Sequence, residues 1–258
     1  MKKLILFSVL IFSSLALTSQ SSSFIFGISG GSNLSKFKNT GDFLDQGETF
    51  SRTIGFGGGV DAGIQFGKFA FITGLHYNQR GGESELNLDD PNGLVWNING
   101  VFDLGIRTQE VKYNTLSIPL TLRYTFGQGP LNFTIAAGPT INMINGQGTV
   151  NTSFDLVNNG NIGPDETKIE AGKLGDQLFR KSHVGFQFKP GVTYQLNDRG
   201  HLTFNMIVES TGNMANDAFL VVNEQGNLSK ASGSIKARIL AFEVGYEHRI
   251  DFTAGTKY

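Results

Sequence analysis

From Ile54 to Gly67 the chain changes chemical character at every step. One parity reads Ile54, Phe56, Gly58, Val60, Ala62, Ile64 and Phe66; the other reads Gly55, Gly57, Gly59, Asp61, Gly63, Gln65 and Gly67. A period of two held this long requires a strand with one apolar and one polar face. Gly67 and Lys68 then form a two-residue turn. The alternation restarts with Phe69, Phe71, Thr73, Leu75 and Tyr77 set against Ala70, Ile72, Gly74, His76, Asn78 and Arg80. The two segments read as a hairpin of long strands.

The same pattern recurs along the chain. Leu116, Ile118, Leu120, Leu122, Tyr124 and Phe126 oppose Ser117, Pro119, Thr121, Arg123 and Thr125, and a turn at 127–130 leads into a strand from Leu131 to Met143. Val184 to Leu196 opposes His183 to Gln195, and 197–200 turns the chain into Leu202, Phe204, Met206 and Val208. A first strand at Phe24–Gly31 and a last at Leu240–Ile250 bring the expected number to eight. The phase slips where Ile235, Ala237 and Ile239 sit on the other parity from Leu240, which predicts a bulge or a later strand start. Pro119 and Pro139 cannot donate to a ladder, so both predict local ladder breaks.

The connections alternate in length. Three are short (67–68, 127–130, 197–200) and four are long and polar (35–52, 81–108, 146–182, 212–233). Long connections confined to one end describe a transmembrane β-barrel with short periplasmic turns and long extracellular loops. Charge placement selects the same reading over a soluble barrel that holds its apolar face inward. Asp61, Arg80, Arg123, Lys189, Glu209, Glu243, Glu247 and Arg249 share the polar parity. Facing lipid at the midplane, an Arg or Lys costs about 2–4 kcal/mol, so in a membrane barrel these side chains line the lumen. Four acids and four bases in a narrow interior are expected to pair and plug it. The fold class is thus all-β, an eight-stranded antiparallel up-and-down transmembrane barrel.

Composition fits that division. Glycine supplies 34 of 258 residues and phenylalanine 22, while charged residues are 17%. Glycines on the polar parity suit an interior with room only for side chains. Phe66, Phe69, Phe126, Phe133 and Tyr194 beside the short turns, with Tyr77 and Tyr113 toward the loops, are candidates for two interfacial aromatic girdles. The net charge of −1 speaks against a nucleic-acid partner. With no cysteine, disulfides, Cys-ligated zinc, a thiol nucleophile and a lipoprotein anchor are all excluded.

Residues 1–20 carry Lys2 and Lys3, an apolar run from Leu4 to Leu17, and small polar residues after it. That is the pattern of a secretory signal peptide, with cleavage near Thr18, and it leaves 21–258 as a single barrel domain. The apolar run is too short for a bilayer span of ~20 residues.

Several stretches together resemble the PorT-like outer-membrane β-barrel family of Bacteroidetes-type bacteria. They are Phe26–Ser35, Gly55–Gly82, Tyr113–Phe126 with its Leu-x-Ile-Pro-Leu strand at 116–120, Ala136–Met143 with Gly138–Pro139, and Phe242–Ile250. The resemblance implies an eight-stranded barrel in the cell outer membrane and no single activity, although the family's named member serves a protein-secretion machine. The long 146–182 connection matches no motif.

Chemistry is thinly signalled. His183 beside Ser182, or His76 with Asp61, could be drawn into a catalytic group, but no spacing motif supports either. Asp89–Asp90 and Asp165–Glu166 lack calcium-loop spacing, and Gly57–Gly59 lacks the helix and lysine of a phosphate loop. The expectation is a non-enzymatic outer-membrane barrel without cofactor, plugged by its polar lumen. Its partners would be outer-membrane lipids and an envelope or secretion protein bound through the long loops. The alternatives are a lipid-modifying barrel enzyme and an exported soluble lipid-binding barrel.

Overall fold

A computed structural model describes residues 22–41, 48–87, 104–156, 160–170, 179–215, 220–222, 228–230 and 233–252. The expected signal peptide, 1–20, lies outside the described residues. Eight long strands form the frame: β1 (Ser22–Gly41), β3 (Thr53–Phe66), β4 (Phe69–Asn87), β5 (Leu104–Phe126), β6 (Leu131–Leu156), β8 (Ser182–Gln195), β9 (Gly200–Thr211) and β12 (Gly233–Phe252). Each pairs antiparallel with its chain neighbour among the eight, and β1 pairs β12 from Ser22↔Phe252 to Gly41↔Gly233, so the sheet closes on itself. Closure removes the free edges that an open sheet of this size would expose. The other strands are short or peripheral. β2 (Thr49–Ser51) pairs β4, β7 (Gly160–Glu170) pairs β6, and β10 (Leu220–Val222) pairs β11 (Leu228–Lys230).

The outer surface is apolar. Phe26, Ile28, Phe56, Phe133, Val184 and Phe242 are each at least half exposed. In water this would be an apolar patch far larger than soluble monomers carry. Packed on lipid chains, it is the solvated face. The inner parity is buried, and glycine on it has a steric reason. A Cβ at Gly59 would stand 2.6 Å from His76 Cγ and closer still to the carbonyl oxygen of Leu75. Gly59→Val is therefore expected to lower stability by about 1–3 kcal/mol through overpacking, read as a drop in the urea midpoint of the folded barrel. Outward-facing Gly30, where an added Cβ would meet nothing nearer than the Gly57 carbonyl oxygen at 3.5 Å, gives the comparison: Gly30→Val is not subject to that crowding. Gly67, at φ 57°, occupies the left-handed region in the two-residue β3–β4 turn.

The expected loops are partly strand. β1 runs on to Gly41, β4 to Asn87, β5 begins at Leu104, and the 146–182 connection carries the end of β6 and all of β7. These strands exceed the roughly 9–11 residues needed to cross a bilayer, so they stand above it at the loop end. The alternation reverses there: inward Phe37, Val111, Tyr113 and Ile235 are apolar and buried, while outward Lys36, Lys112 and Lys236 carry charge. The expected bulge near Ile239 is absent: β12 keeps one register against β1 throughout. Ile235, Ala237 and Ile239 all point inward, where the lumen itself turns from polar to apolar.

Proline interrupts the ladders without shifting them. Pairing of β5 passes from Thr73↔Leu120 to His76↔Ser117 on one side, and from Pro119↔Thr140 to Leu122↔Ala137 on the other. Pro139 falls inside the second gap.

Candidate functional site

The interior is organised in levels, counted from the short turns upward. Nearest the turns, the Arg123 guanidinium bonds the Glu247 carboxylate through Nη1, and Arg249 Nη2 reaches the same carboxylate at 3.2 Å. At the next level Lys189 Nζ donates to Glu243 Oε2 at 2.9 Å. His76 stands beside it, with Nε2 2.9 Å from Asp61 Oδ1 and Nδ1 3.8 Å from Glu243 Oε1. Above these, Arg80 makes a two-armed contact with Glu209, Nη1 to Oε1 at 3.1 Å and Nη2 to Oε2 at 2.7 Å. Asn142 joins that pair by donating to Glu209 Oε1 at 2.8 Å, and its own Oδ1 accepts from Ser117 Oγ at 2.6 Å.

Each of the eight charged residues singled out from the alternation thus lies inside the barrel and contacts an opposite charge or a histidine. Strand neighbours explain only Asp61–His76, across paired β3 and β4, and Glu247–Arg249, along β12. Arg80 and Glu209 are 129 residues apart, and Arg123 and Glu247 are 124 apart. Only the closed ring brings them together, and Arg80 and Glu209 are each 4% exposed. A cavity of about 70 Å³ touches residues of all three levels. At ~10–15 Å³ of such space per water, it has room for a small cluster of water molecules.

The lumen above Arg80 is apolar. Phe37, Tyr113, Ile144, Phe179, Met214 and Ile235 form a buried cluster there with Val111, Ala215, Ala237 and Ile239. The rings of Phe37, Tyr113 and Phe179 stack with centroids 6.0–6.2 Å apart. Phe179 and Met214 belong to segments outside the long strands. They are tied in by Arg180 N to Met214 O at 2.8 Å and Met214 N to Ile235 O at 2.7 Å. Sequence reasoning missed this cap. The phase slip at Ile235–Ile239 was its one visible trace, and the contributions of Phe179 and Met214 carry no local signal.

The structure corrects one aromatic assignment. Tyr113 is 3% exposed and belongs to the interior cluster, so it cannot lie at the lipid interface. Its odd number shares the parity of Ser117 and Arg123, which dictates an inward side chain. Of the other candidates, Tyr77, Phe126, Phe133 and Tyr194 are exposed on the outer face, and Phe66 and Phe69 are half-buried beside the first short turn.

The drawn catalytic groups do not assemble. His183 is buried and neither ring nitrogen has a hydrogen-bond partner among the described residues, while the neighbouring Ser182 is exposed on the opposite face. His76 presents its nitrogens to two carboxylates rather than to a hydroxyl. His201 is buried inside, and His248 lies 3.5 Å from the Tyr246 hydroxyl. Among the described residues no cluster of His, Asp and Glu could hold a metal ion. Asp89 and Asp90 lie outside those residues, whereas Asp165 and Glu166 stand in β7.

A closed antiparallel ring with an apolar exterior and paired charges inside is an integral membrane β-barrel. The chain belongs to the outer membrane protein beta-barrel domain family, whose model matches residues 18–209, and its place is the outer membrane. No curated protein matches the sequence. Solved structures that it is similar to include Neisserial surface protein A, at 12% identity and TM-score 0.42, covering 87% of this chain and 97% of that one. OprG from Pseudomonas aeruginosa is similar at 10% identity and TM-score 0.42, covering 90% and 97%. The N-terminal barrel domain of OprF from the same organism is similar at 9% identity and TM-score 0.37, covering 90% and 100%.

Proposed function

We propose that this protein is a non-enzymatic outer-membrane barrel with a plugged lumen, and that its loop end serves an interaction role in the cell envelope. The observation that carries the plug is the complete pairing of the interior charges, Arg80–Glu209, Lys189–Glu243 and Arg123–Glu247–Arg249, with Asp61 against His76. Paired charges in a narrow lumen hold one another across the bore, and the apolar cap above them supplies a second obstruction. Phe66, Phe69, Phe126, Phe133 and Tyr194 serve as the girdle at the turn end, with Tyr77 nearer the loops.

The PorT-like resemblance supports an association with secretion. The strands that project past the bilayer give a partner protein a rigid platform on the cell's outer side. In planar bilayers the purified protein is expected to show no stable channel. Long-lived conductance steps from the folded monomer would sink the plugged reading. A photo-crosslinking residue introduced at Lys181 is expected to trap a discrete envelope protein in intact cells. Recovery of the uncrosslinked chain alone, at every position tried around the rim, would remove the interaction role.

A further inference from the structure

The rim at the loop end is charged unevenly. On β1 the outer face is apolar from Phe24 to Leu34, apart from the small residues Gly30 and Ser32, and the next two outward side chains are Lys36 and Lys38. On the neighbouring β12 the last apolar outward residue is Leu240, followed by Arg238 and Lys236. Register sets Lys36 directly opposite Arg238, and Lys38 opposite Lys236. Arg52, exposed just before β3 on the other side of β1, extends the patch. All of these side chains are exposed, and none has an ion-pair partner among the described residues.

Like charges placed directly across a strand pair are destabilising. Two such pairs in succession call for an anion between them. Rim lysines that merely reach toward headgroups would be spread around the barrel, yet the β4–β5 side is different. There Glu83 and Glu85 take outward positions, and Lys112 is neutralised by Glu110 at 2.7 Å.

We propose that the β12–β1–β3 rim is a binding site for a phosphate-bearing lipid of the outer leaflet. The height of the patch selects a lipid over a soluble partner. From Phe24 to Leu34, and from Ile250 to Leu240, the chain spans the roughly 9–11 residues of a bilayer crossing. The cations therefore begin at the headgroup level of the outer leaflet, flush with apolar surface on which acyl chains can lie. Lys36 and Arg238 grip one anionic group from two strands, and Lys38 and Lys236 grip a second at the next step outward. The two steps lie about 7 Å apart along the strands, within reach of long flexible side chains that take the two phosphates of one headgroup.

The test uses the full chain in nonionic micelles, titrated with lipid A as a bisphosphorylated glycolipid, with bound lipid counted by native mass spectrometry. Wild type is expected to retain lipid A over phosphatidylcholine. The fourfold variant Lys36→Gln/Lys38→Gln/Lys236→Gln/Arg238→Gln is expected to bind about tenfold more weakly or worse, given the attraction each surface cation contributes. Lys112→Gln on the opposite rim leaves binding unchanged. Arg238→Glu, which sets a carboxylate opposite Lys36, guards against misfolding as the cause: it is expected to weaken lipid binding while leaving stability equal or higher. Unchanged affinity in the fourfold variant overturns the proposal. So does equal loss on Lys112→Gln. Competition by inorganic phosphate alone at the lipid's own concentration would assign the patch to a free anion, and equal binding of polyglutamate would assign it to an acidic soluble partner; either outcome overturns the lipid site.

Discussion

Arg80→Met is expected to lower the stability of the folded barrel by about 3–5 kcal/mol, the usual penalty for stranding one member of a buried ion pair. The substitution removes two hydrogen bonds from Glu209 and one from Asn142, and leaves the carboxylate with Asn142 Nδ2 as its remaining donor. Both members of the pair are almost wholly shielded, so water cannot replace the lost guanidinium cheaply. The double variant Arg80→Met/Glu209→Leu is expected to regain most of the loss. Replacing a buried pair by apolar residues of similar volume is often neutral or stabilising, and the level immediately above is already apolar, with Tyr113, Ile144 and Ile239 buried there. Urea unfolding of barrels reconstituted in vesicles, followed by far-ultraviolet circular dichroism, measures both. A single variant within about 1 kcal/mol of wild type would mean that the pair remains solvated and that the lumen at this level is open.

Several of these features could be read from residue order and several could not, and the division follows the range of the interactions. Parity is local. Asp61 and Arg123 announce an inward direction because their strand neighbours Val60 and Leu122 are apolar, and no partner strand need be known. The short turns at 67–68 and 127–130 are equally local. Which acid meets which base is different, since Arg123 finds Glu247 only after the ring has closed and its register is set. The apolar cap is harder still, for Phe179 and Met214 come from segments with no periodicity and are held there by backbone contacts to each other and to β12. At Tyr113 two local signals conflict, since aromatic character near a loop points to an interface while its odd position on the parity of Ser117 points inside, and parity prevails. The projecting strands were hard to read for a physical reason: past the bilayer the outward face turns polar and the inward face apolar, which reverses the alternation that marks the membrane-spanning part.

The second large effect belongs to the outer face and depends on depth. Val244 lies near the middle of the lipid-facing stretch of β12 between Leu240 and Ile250, and it is more than half exposed. Val244→Arg is expected to cost about 2–4 kcal/mol, because the guanidinium must be dragged to a headgroup region or hydrated by a defect in the hydrocarbon. Leu240→Arg makes the same chemical change on the same strand at the outer rim and is expected to cost only about 0–1 kcal/mol. Equilibrium unfolding in phosphatidylcholine vesicles reads the two values side by side. A gradient between them locates the membrane on the barrel. It also fixes the level at which Arg238, one outward position beyond Leu240, meets the headgroups. Equal costs at the two positions would mean that this surface is uniformly wetted or uniformly covered by protein. Inward-facing Glu243, one residue from Val244, sharpens the contrast. It places a carboxyl group at nearly the same depth, where Lys189 Nζ lies 2.9 Å away and lipid does not reach it. A single step along the strand separates a position that holds a carboxylate against a lysine from one that is expected to reject an arginine, and the closed sheet is the boundary between them.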